Sequence, residues 1–428
     1  MFAGPGVLVS VGYMDPGNWG TDLAAGASYR YELLWVILVS SLIAMFLQNL
    51  CARLGIVGKI DLAQACLDHY SKRASTVLWV FAQIAIIACD LAEVIGSAVA
   101  LQLLLHIPLI IGVFVTAFDV LVLLGLMRFG FRKLEAVVAS LVMMISVCFL
   151  LEIIYSRPSL TGLASGLLLP KMPIGSVALA VGILGATVMP HNLYLHSAAV
   201  QTRDISDVNH ALRMNKWDTY CALGAAFFVN AAILVVAAAT FYKSGHHNVD
   251  NFAQAQTMLR PLLGSFAATV FAIGLLASGQ SSTITGTLAG QVVMKGLLKI
   301  EWKPWLTRLV TRSMSIIPAA IVVAIWGSQK TVALLIISQV VLSIQLPFAV
   351  FPLLKFTNSE SIMGVHKNSK SIRLVGWFVA WAIVGLNMVL IYQQFGFYGV
   401  VPATGFGLWF TYFLQTNRSD LTELSQAA

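Results

Sequence analysis

The sequence predicts an all-α polytopic membrane protein with two broken helices, and three observations support this class. Of the 428 residues, 58% are hydrophobic and only 10% are charged, whereas soluble domains carry about 25% charged residues because their surfaces face water. Long apolar runs recur along the whole chain. Two of these runs are interrupted by polar residues and a proline, near residues 15 and 190. These features exclude an ordinary soluble enzyme and a disordered chain.

The apolar runs predict twelve spans, since a helical span needs about 20 apolar residues. They lie near 4–29, 33–55, 75–105, 108–126, 133–156, 174–202, 211–242, 259–290, 305–328, 331–354, 372–395 and 398–415. The last run is the least regular, because it contains Pro402 and three glycines. The connections between the spans are short, as in a compact bundle.

The basic residues predict the orientation of these spans. Loops after spans two, four, six, eight and ten hold 19 of the 26 Lys and Arg residues, and the alternate loops hold 6. Cytoplasmic loops are enriched in Lys and Arg, so the N-terminus is predicted to be cytoplasmic in a protein of the cell membrane. The net charge of +8 is therefore attributed to basic loops at a membrane face, and no nucleic-acid partner is predicted.

Two predicted spans are broken at corresponding positions. The first breaks between Tyr13 and Trp19, around Asp15, and the sixth breaks between Gly185 and His191. Hydrocarbon does not tolerate free backbone polar groups, so an interrupted span must line a cavity or be buried in protein. Such paired interruptions are typical of inverted-repeat transporters, whose substrate site lies at the breaks. A proline kink alone does not account for an acid at one break and a histidine at the other.

The side chains at the two breaks form a mixed set of metal ligands. Asp15 offers a carboxylate and Asn18 an amide oxygen, while Met189 offers a thioether and unwinding around Ala186 frees a backbone carbonyl. Sulfur suits Mn²⁺, Fe²⁺, Co²⁺ or Cd²⁺ better than Ca²⁺ or Mg²⁺, which take shells of oxygen. The sequence therefore predicts a site for divalent transition-metal ions.

A second group of ionisable residues predicts a proton path. Asp90 and Glu93 lie three residues apart in the third span and share a helix face. A basic partner is expected, either Arg203 or Arg308. His191 is the other candidate, because histidine has an unperturbed pKa of about 6.5. The alternative interpretation of the two acids is a buried ion-pair network that fixes helix packing, and the two interpretations are compatible.

Three strings in this order and spacing resemble the Nramp family of divalent metal transporters. They are DPGN at 15–18, MPHNLYLHS at 189–197 and GQSSTITGTLAGQ at 279–291. The similarity extends over essentially the whole chain. It implies a leucine-transporter-like fold, in which two inverted repeats of five spans are followed by one or two additional spans, giving 11 or 12 in total.

The resemblance also implies boundaries and roles. The first repeat would cover 1–156, the second 174–357, the additional spans 371–415 and a tail 416–428. The metal ligands would be Asp15, Asn18, the Ala186 carbonyl and Met189, joined by Gln339 in the occluded state. The implied function is proton-coupled import of Mn²⁺ or Fe²⁺, and also Cd²⁺ or Co²⁺, by a monomer in the lipid bilayer with no prosthetic group.

Two other functions remain open from the sequence. A sodium-coupled symporter for an organic substrate has the same fold, but such sites usually lack an acid in the first break, and Asp15 is against it. A magnesium-transporting relative is disfavoured by Met189. A membrane metalloenzyme needs clustered ligands such as His-Glu-x-x-His, which the sequence does not contain, so no enzymatic activity is predicted.

Overall fold

The computed structural model describes residues 4–118, 131–203, 205–247, 249, 252–327 and 329–416. Regular secondary structure within these ranges is helical, so the predicted all-α class is confirmed. Side chains at 131–135, 138, 252–265, 267, 268, 304, 308 and 415 lie outside the description.

The first part of the chain supplies the first five predicted spans. Its helices are α1 Pro5–Ser10, α2 Pro16–Tyr29, α3 Leu34–Val57, α4 Leu62–His69, α5 Lys72–Leu105, α6 Leu109–Val115, α7 Phe131–Ser156 and α8 Leu160–Leu168. A 3-10 turn at Val11–Met14 extends α1 up to the first break. The short helices α4 and α8 lie in connections between spans.

The second part of the chain supplies the remaining spans. Its helices are α9 Val177–Thr187, α10 Pro190–Ala199, α11 Val208–Ala237, α12 Phe252–Leu298, α13 Pro304–Trp326, α14 Thr331–Thr357, α15 Glu360–Met363, α16 Lys370–Phe395 and α17 Phe397–Thr416. A π-helical turn at Ala238–Tyr242 extends α11. Helix α12 has 47 residues, which makes it much longer than the predicted span 259–290.

Eight helical segments in the described part of the chain are long and apolar enough to cross a membrane. One of them is Val177–Thr202, which consists of the two half-helices α9 and α10. The segments Pro5–Met14 and Leu109–Phe118 are shorter apolar helices. Each of the twelve predicted spans contains helix in the described residues.

Both breaks occur where the sequence predicts them. Asp15 is extended, with φ −66° and ψ 165°, and Pro16 begins α2. Met189 is also extended, with φ −75° and ψ 125°, and Pro190 begins α10. Proline has no backbone N–H to continue the preceding helix and fits the first helical turn. Each proline therefore ends one half-helix and starts the next.

Side chains satisfy the backbone carbonyls that the first break releases. Asn230 Nδ2 donates to the Tyr13 carbonyl at 2.8 Å. The Met14 carbonyl accepts from Trp19 Nε1 at 3.2 Å and from Ser278 Oγ at 2.5 Å. These contacts join the first break to α11 and α12, as expected for an irregular backbone buried inside a membrane protein.

Glycines allow neighbouring helices to approach the breaks closely. A Cβ on Gly96 of α5 would lie 2.2 Å from Pro16 Cβ, and one on Gly185 of α9 would lie 2.0 Å from the Gln339 backbone oxygen. Real Cβ atoms do not make such short contacts, so glycine is required at both positions. Helices α5 and α14 are thereby held against the two breaks.

Candidate metal site

The carboxylate of Asp15 lies at the start of α2 and is fully buried. Its Oδ1 accepts hydrogen bonds from the backbone N–H of Asn18 at 2.9 Å and from Asn18 Nδ2 at 2.7 Å. The acid is thus the N-cap of α2 and lies at the positive end of the helix dipole. Local geometry of the first break therefore fixes the position of this side chain.

Asn18 connects the two breaks. Its Nδ2 donates to the Ala186 carbonyl at 3.1 Å as well as to Asp15, and its Oδ1 accepts from Asn230 at 3.2 Å. One amide nitrogen therefore lies between a carboxylate and a carbonyl oxygen from different half-helices. The Asp15 carboxylate and the Ala186 carbonyl thus both point at the positively polarised N–H groups of Asn18. Two buried oxygens arranged in this way also suit a cation.

Met189, at the second break, is the last of the first four predicted ligands. It is fully buried, and its Sδ accepts from Asn192 Nδ2 at 3.5 Å. It shares a buried apolar cluster with Ala85 and Cys89 of α5 and with Leu342 of α14. Since Cys89 Sγ is 4.0 Å from Asp15 Oδ2, the cluster that contains Met189 lies next to the carboxylate.

Gln339 of α14 lies over the first break. A Cβ on Gly17 would be 1.9 Å from Gln339 Nε2 and 3.0 Å from Asp15 Oδ2. The Nε2 group donates to Ser338 Oγ at 3.0 Å, whereas the buried Oε1 has no hydrogen-bond partner. The structure thus brings the side chain of the predicted fifth ligand next to Asp15.

The donor set is unusual because it contains a single acid. Among the described residues, no group of three or more His, Cys, Asp or Glu side chains could hold a metal ion. A cation at the breaks would therefore have amide, carbonyl and sulfur donors around Asp15. This mixture of one carboxylate, neutral oxygens and a thioether differs from an oxygen-only calcium or magnesium shell.

The two acids of α5 form an ion-pair network with Arg312, which was not one of the two predicted partners. Arg312 Nη1 of α13 is 2.6 Å from Asp90 Oδ1 and 3.7 Å from Glu93 Oε2. Glu93 Oε2 also accepts from Thr283 Oγ1 of α12 at 3.0 Å. The arginine is 1% exposed and the acids 2% and 1%. A guanidinium can contact two carboxylates at once, which suits this position.

This arrangement corrects one expectation about the basic residues. Arg312 is one of the 19 Lys and Arg residues assigned to loops from the sequence, yet it is buried within α13, because ion pairing compensates its burial. Of the two predicted partners, Arg203 follows α10 and lies within electrostatic range of Asp218 of α11. The side chain of the other predicted partner, Arg308, lies outside the described part of the chain.

The histidines of α10 have different surroundings. His191, next to the second break, is 1% exposed, and its Nδ1 has no hydrogen-bond partner. His196 Nδ1 lies 2.9 Å from Gln48 Oε1 of α3, and Gln48 Nε2 donates to Tyr13 Oη at 2.6 Å. His196 is thus part of a polar chain between α10, α3 and the first break, whereas His191 is the histidine beside the ligands.

Sequence reasoning missed three buried residues, of which Cys89 and Asp22 lie near Asp15. The signal for Cys89 is its position four residues before Glu93, which places the two on one helix face. Asp22 is fully buried with both carboxylate oxygens unpartnered. Its spacing of seven from Asp15, two helical turns, was an available signal. Glu152 of α7 is also buried without a hydrogen-bond partner, and no local pattern marks it.

Two interrupted helices whose breaks meet around a buried acid form the architecture of secondary transporters with discontinuous helices. The family model described as "Natural resistance-associated macrophage protein-like", or Nramp, matches residues 6–393. The chain therefore belongs to the Nramp family, and the resemblance drawn from the three strings is confirmed.

Relatives at high identity carry transporter names. The chain is 53% identical over 402 residues to the "Divalent metal cation transporter MntH" of Nostoc sp., covering 92% of this chain and 91% of the relative. It is 52% identical over 399 residues to the protein of the same name from Bradyrhizobium diazoefficiens, covering 91% and 88%.

Solved structures show the same fold. A manganese transporter of Eremococcus coleocola matches with a TM-score of 0.86 at 38% identity, covering 97% of this chain and 94% of that one. Mhp1, a nucleobase-cation-symport-1 family transporter, matches with a TM-score of 0.59 at 13% identity, covering 96% and 93%. The second likeness shows the fold alone. The predicted leucine-transporter-like fold is confirmed.

Proposed function

We propose that this protein is a proton-coupled secondary transporter that imports divalent transition-metal ions, Mn²⁺ and Fe²⁺ first and also Cd²⁺ and Co²⁺, by alternating access. One observation carries the proposal: the predicted ligands from both helix breaks lie together. Asp15 and the Ala186 carbonyl both accept hydrogen bonds from Asn18, and Cys89, beside Asp15, shares a buried cluster with Met189. The names of the relatives as divalent metal cation and manganese transporters support the substrate class.

Metal binding at this site rearranges the amide of Asn18. Its Nδ2 now donates to Asp15 Oδ1 and to the Ala186 carbonyl, so a cation that takes these two oxygens replaces the amide hydrogens. Rotation of the amide then presents Oδ1 to the metal. Asn230 releases that oxygen in exchange, because its Nδ2 keeps the Tyr13 carbonyl as acceptor. These exchanges link occupation of the site to both half-helices.

Met189 is proposed to set the preference for transition metals. Changing Met189 to alanine is expected to lower the preference for Mn²⁺ over Ca²⁺ and Mg²⁺ at least about tenfold, because the one thioether is replaced by water, an oxygen ligand that both hard ions accept. Competition of Ca²⁺ and Mg²⁺ with Mn²⁺ uptake into proteoliposomes measures this preference. Met363→Ala, at a buried methionine of α15, is the matched control. Wild-type protein that takes up Ca²⁺ as well as Mn²⁺ contradicts the ligand assignment.

Protons are proposed to reach the metal site along two sets of ionisable side chains. Cys89 lies between Asp15 and Glu93, 4.0 Å and 3.7 Å away, and Glu93 continues through Arg312 to Asp90. His191 is at the second break. Because the cation and a proton compete for Asp15, release of one favours binding of the other, which is a physical basis for coupling.

Changing Glu93 to glutamine or His191 to alanine is expected to preserve metal binding and to impair proton transport. Glutamine keeps an acceptor for Thr283, and neither residue is a proposed metal ligand. Mn²⁺-driven proton entry into proteoliposomes, followed with an enclosed pH dye, tests the expectation beside calorimetric Mn²⁺ binding. His246→Ala, at an exposed loop position, serves as control. Unchanged metal-driven proton flux in both variants contradicts this role.

The topology is part of the same proposal. The distribution of basic residues supports a cytoplasmic N-terminus, and the resemblance supports division into repeats at 1–156 and 174–357 and action as a monomer. Import then requires that the site open alternately to the two sides of the membrane through movements of the half-helices α1 and α10 against the helices that hold them.

A further inference from the structure

Cys89 occupies a position between the proposed metal and proton sites. Its side chain is 2% exposed. The Sγ atom lies 4.0 Å from Asp15 Oδ2 and 3.7 Å from Glu93 Oε1. A thiol has one hydrogen to donate, and donation to Glu93 leaves the sulfur lone pairs available on the side of Asp15. The sulfur atom is thus in reach of a cation held by that carboxylate.

The surroundings of Cys89 contain the other sulfur donor of the site. Met189 belongs to the same buried cluster, together with Ala85, Ala88 and Leu342. The two alanines are small, so α5 approaches the second break closely. A cation at Asp15 therefore has a thioether and a thiol nearby, whereas the remaining proposed ligands are oxygen atoms.

The side-chain amide of Gln339, which lies beside Asp15 Oδ2, carries an unsatisfied acceptor and so independently indicates a ligand there. Gln339 Oε1 is buried and has no hydrogen-bond partner. The Gln339 amide and Asp15 Oδ2 are both close to the Cβ position of Gly17, at 1.9 Å from Nε2 and 3.0 Å from Oδ2. A buried acceptor without a donor costs about 1–3 kcal/mol. A cation bound beside Asp15 Oδ2 removes this cost.

One cation can contact both Asp15 and Cys89 without movement of the backbone. Zinc bonds of about 2.3 Å to sulfur and about 2.1 Å to a carboxylate oxygen together exceed the observed 4.0 Å between Sγ and Oδ2. One ion of this size can therefore contact both atoms, with an angle of about 130° between the two bonds.

We propose that Cys89 is a second sulfur ligand of this site and biases it toward thiophilic divalent cations such as Cd²⁺ relative to Mn²⁺. The proposal rests on the proposed function, because it assumes that divalent cations bind at Asp15. Thiolate ligands favour soft cations, while Mn²⁺ is served well by oxygen. A thiol binds metal after loss of its proton, and Glu93 is the acceptor to which it already donates.

The test compares Cd²⁺ and Mn²⁺ in the full-length protein. Competition between the two ions for uptake into proteoliposomes, with calorimetric affinities for both, gives the ratio of Cd²⁺ to Mn²⁺ preference. We expect Cys89→Ser to lower this ratio about tenfold. Cys148→Ser, at another buried thiol, is the matched control and should keep the wild-type ratio. A wild-type ratio in Cys89→Ser overturns the proposal.

A second measurement does not depend on the folding of a Cys89 variant. The protein with Cys221→Ser, which lacks the exposed thiol, should develop a thiolate-to-cadmium absorption band in the ultraviolet that saturates at one Cd²⁺ per chain. Absence of the band while Cd²⁺ binds overturns the proposal. Failure of the proposed function is distinct, since wild-type proteoliposomes then take up neither ion.

Discussion

Changing Asp15 to asparagine is expected to lower the affinity for Mn²⁺ at least about a hundredfold and to stop Mn²⁺ uptake. Asp15 is the one carboxylate among the proposed ligands, and it is fully buried. A divalent cation in a buried site without its counter-charge loses about 3–5 kcal/mol, which corresponds to more than a hundredfold in affinity. Calorimetric titration of the purified protein with Mn²⁺ measures the loss.

The fold should survive this change, because asparagine is as good an N-cap as aspartate. Its side-chain oxygen can accept from the Asn18 N–H as Asp15 does now. Asp61 provides a matched control, since it caps α4 in the same way, accepting from the Gln64 N–H at 2.9 Å, and is remote from the proposed ligands. Asp61→Asn should bind Mn²⁺ like wild type. Wild-type affinity in Asp15→Asn contradicts the proposed site.

The sequence could locate the helix breaks because their cause is local. Pro16 and Pro190 each remove a backbone donor, and the polar residues beside them have no reason to lie in hydrocarbon unless they are functional. The same reasoning identified Asp15, Asn18, Ala186 and Met189, which the breaks bring together. The carbonyl partners Asn230 and Ser278 depend on which helices cover the breaks, and a local pattern does not contain that information.

Gln339 shows where local patterns were insufficient. Gln339 is one of two glutamines in the apolar run of α14, where helix packing accounts for such a residue, and only the family resemblance singled it out. Its place over Gly17 results from the close approach of α14 to both breaks, which requires Gly185. The glycine and the glutamine are 154 positions apart, so their relation becomes visible only in the folded chain.

The partner of the two acids could not be chosen from spacing for a related reason. Arg308 and Arg312 lie one helical turn apart and share a face of α13, so spacing alone cannot decide which one reaches Asp90 and Glu93. The answer depends on how deeply α13 is placed against α5. The structure puts Arg312 at the depth of the acids, and it also excludes the assumption that every arginine near a predicted span end is a loop charge.

Changing Arg312 to alanine is expected to destabilise the protein by about 3–5 kcal/mol, because removal of one partner leaves buried charges uncompensated. The guanidinium is 2.6 Å from Asp90 and 3.7 Å from Glu93, and it also donates to the Thr116 carbonyl at 3.4 Å from Nε and Nη2. A fall in the thermal unfolding temperature of the protein in detergent measures this effect. Lys295→Ala, which breaks the exposed ion pair with Glu301, should leave the unfolding temperature unchanged.

A second substitution separates the structural role of this network from its proposed role in proton transport. In the double variant Arg312→Ala/Asp90→Asn, one orphaned charge is removed together with the arginine, so much of the lost stability should return. Equal destabilisation of the single and double variants contradicts the ion-pair account. If stability returns and Mn²⁺-driven proton flux does not, the pair of Arg312 and Asp90 acts on protons beyond fixing the packing of α5 against α13. If both return, this pair serves packing alone, and the proton path runs through Glu93 or His191 without it.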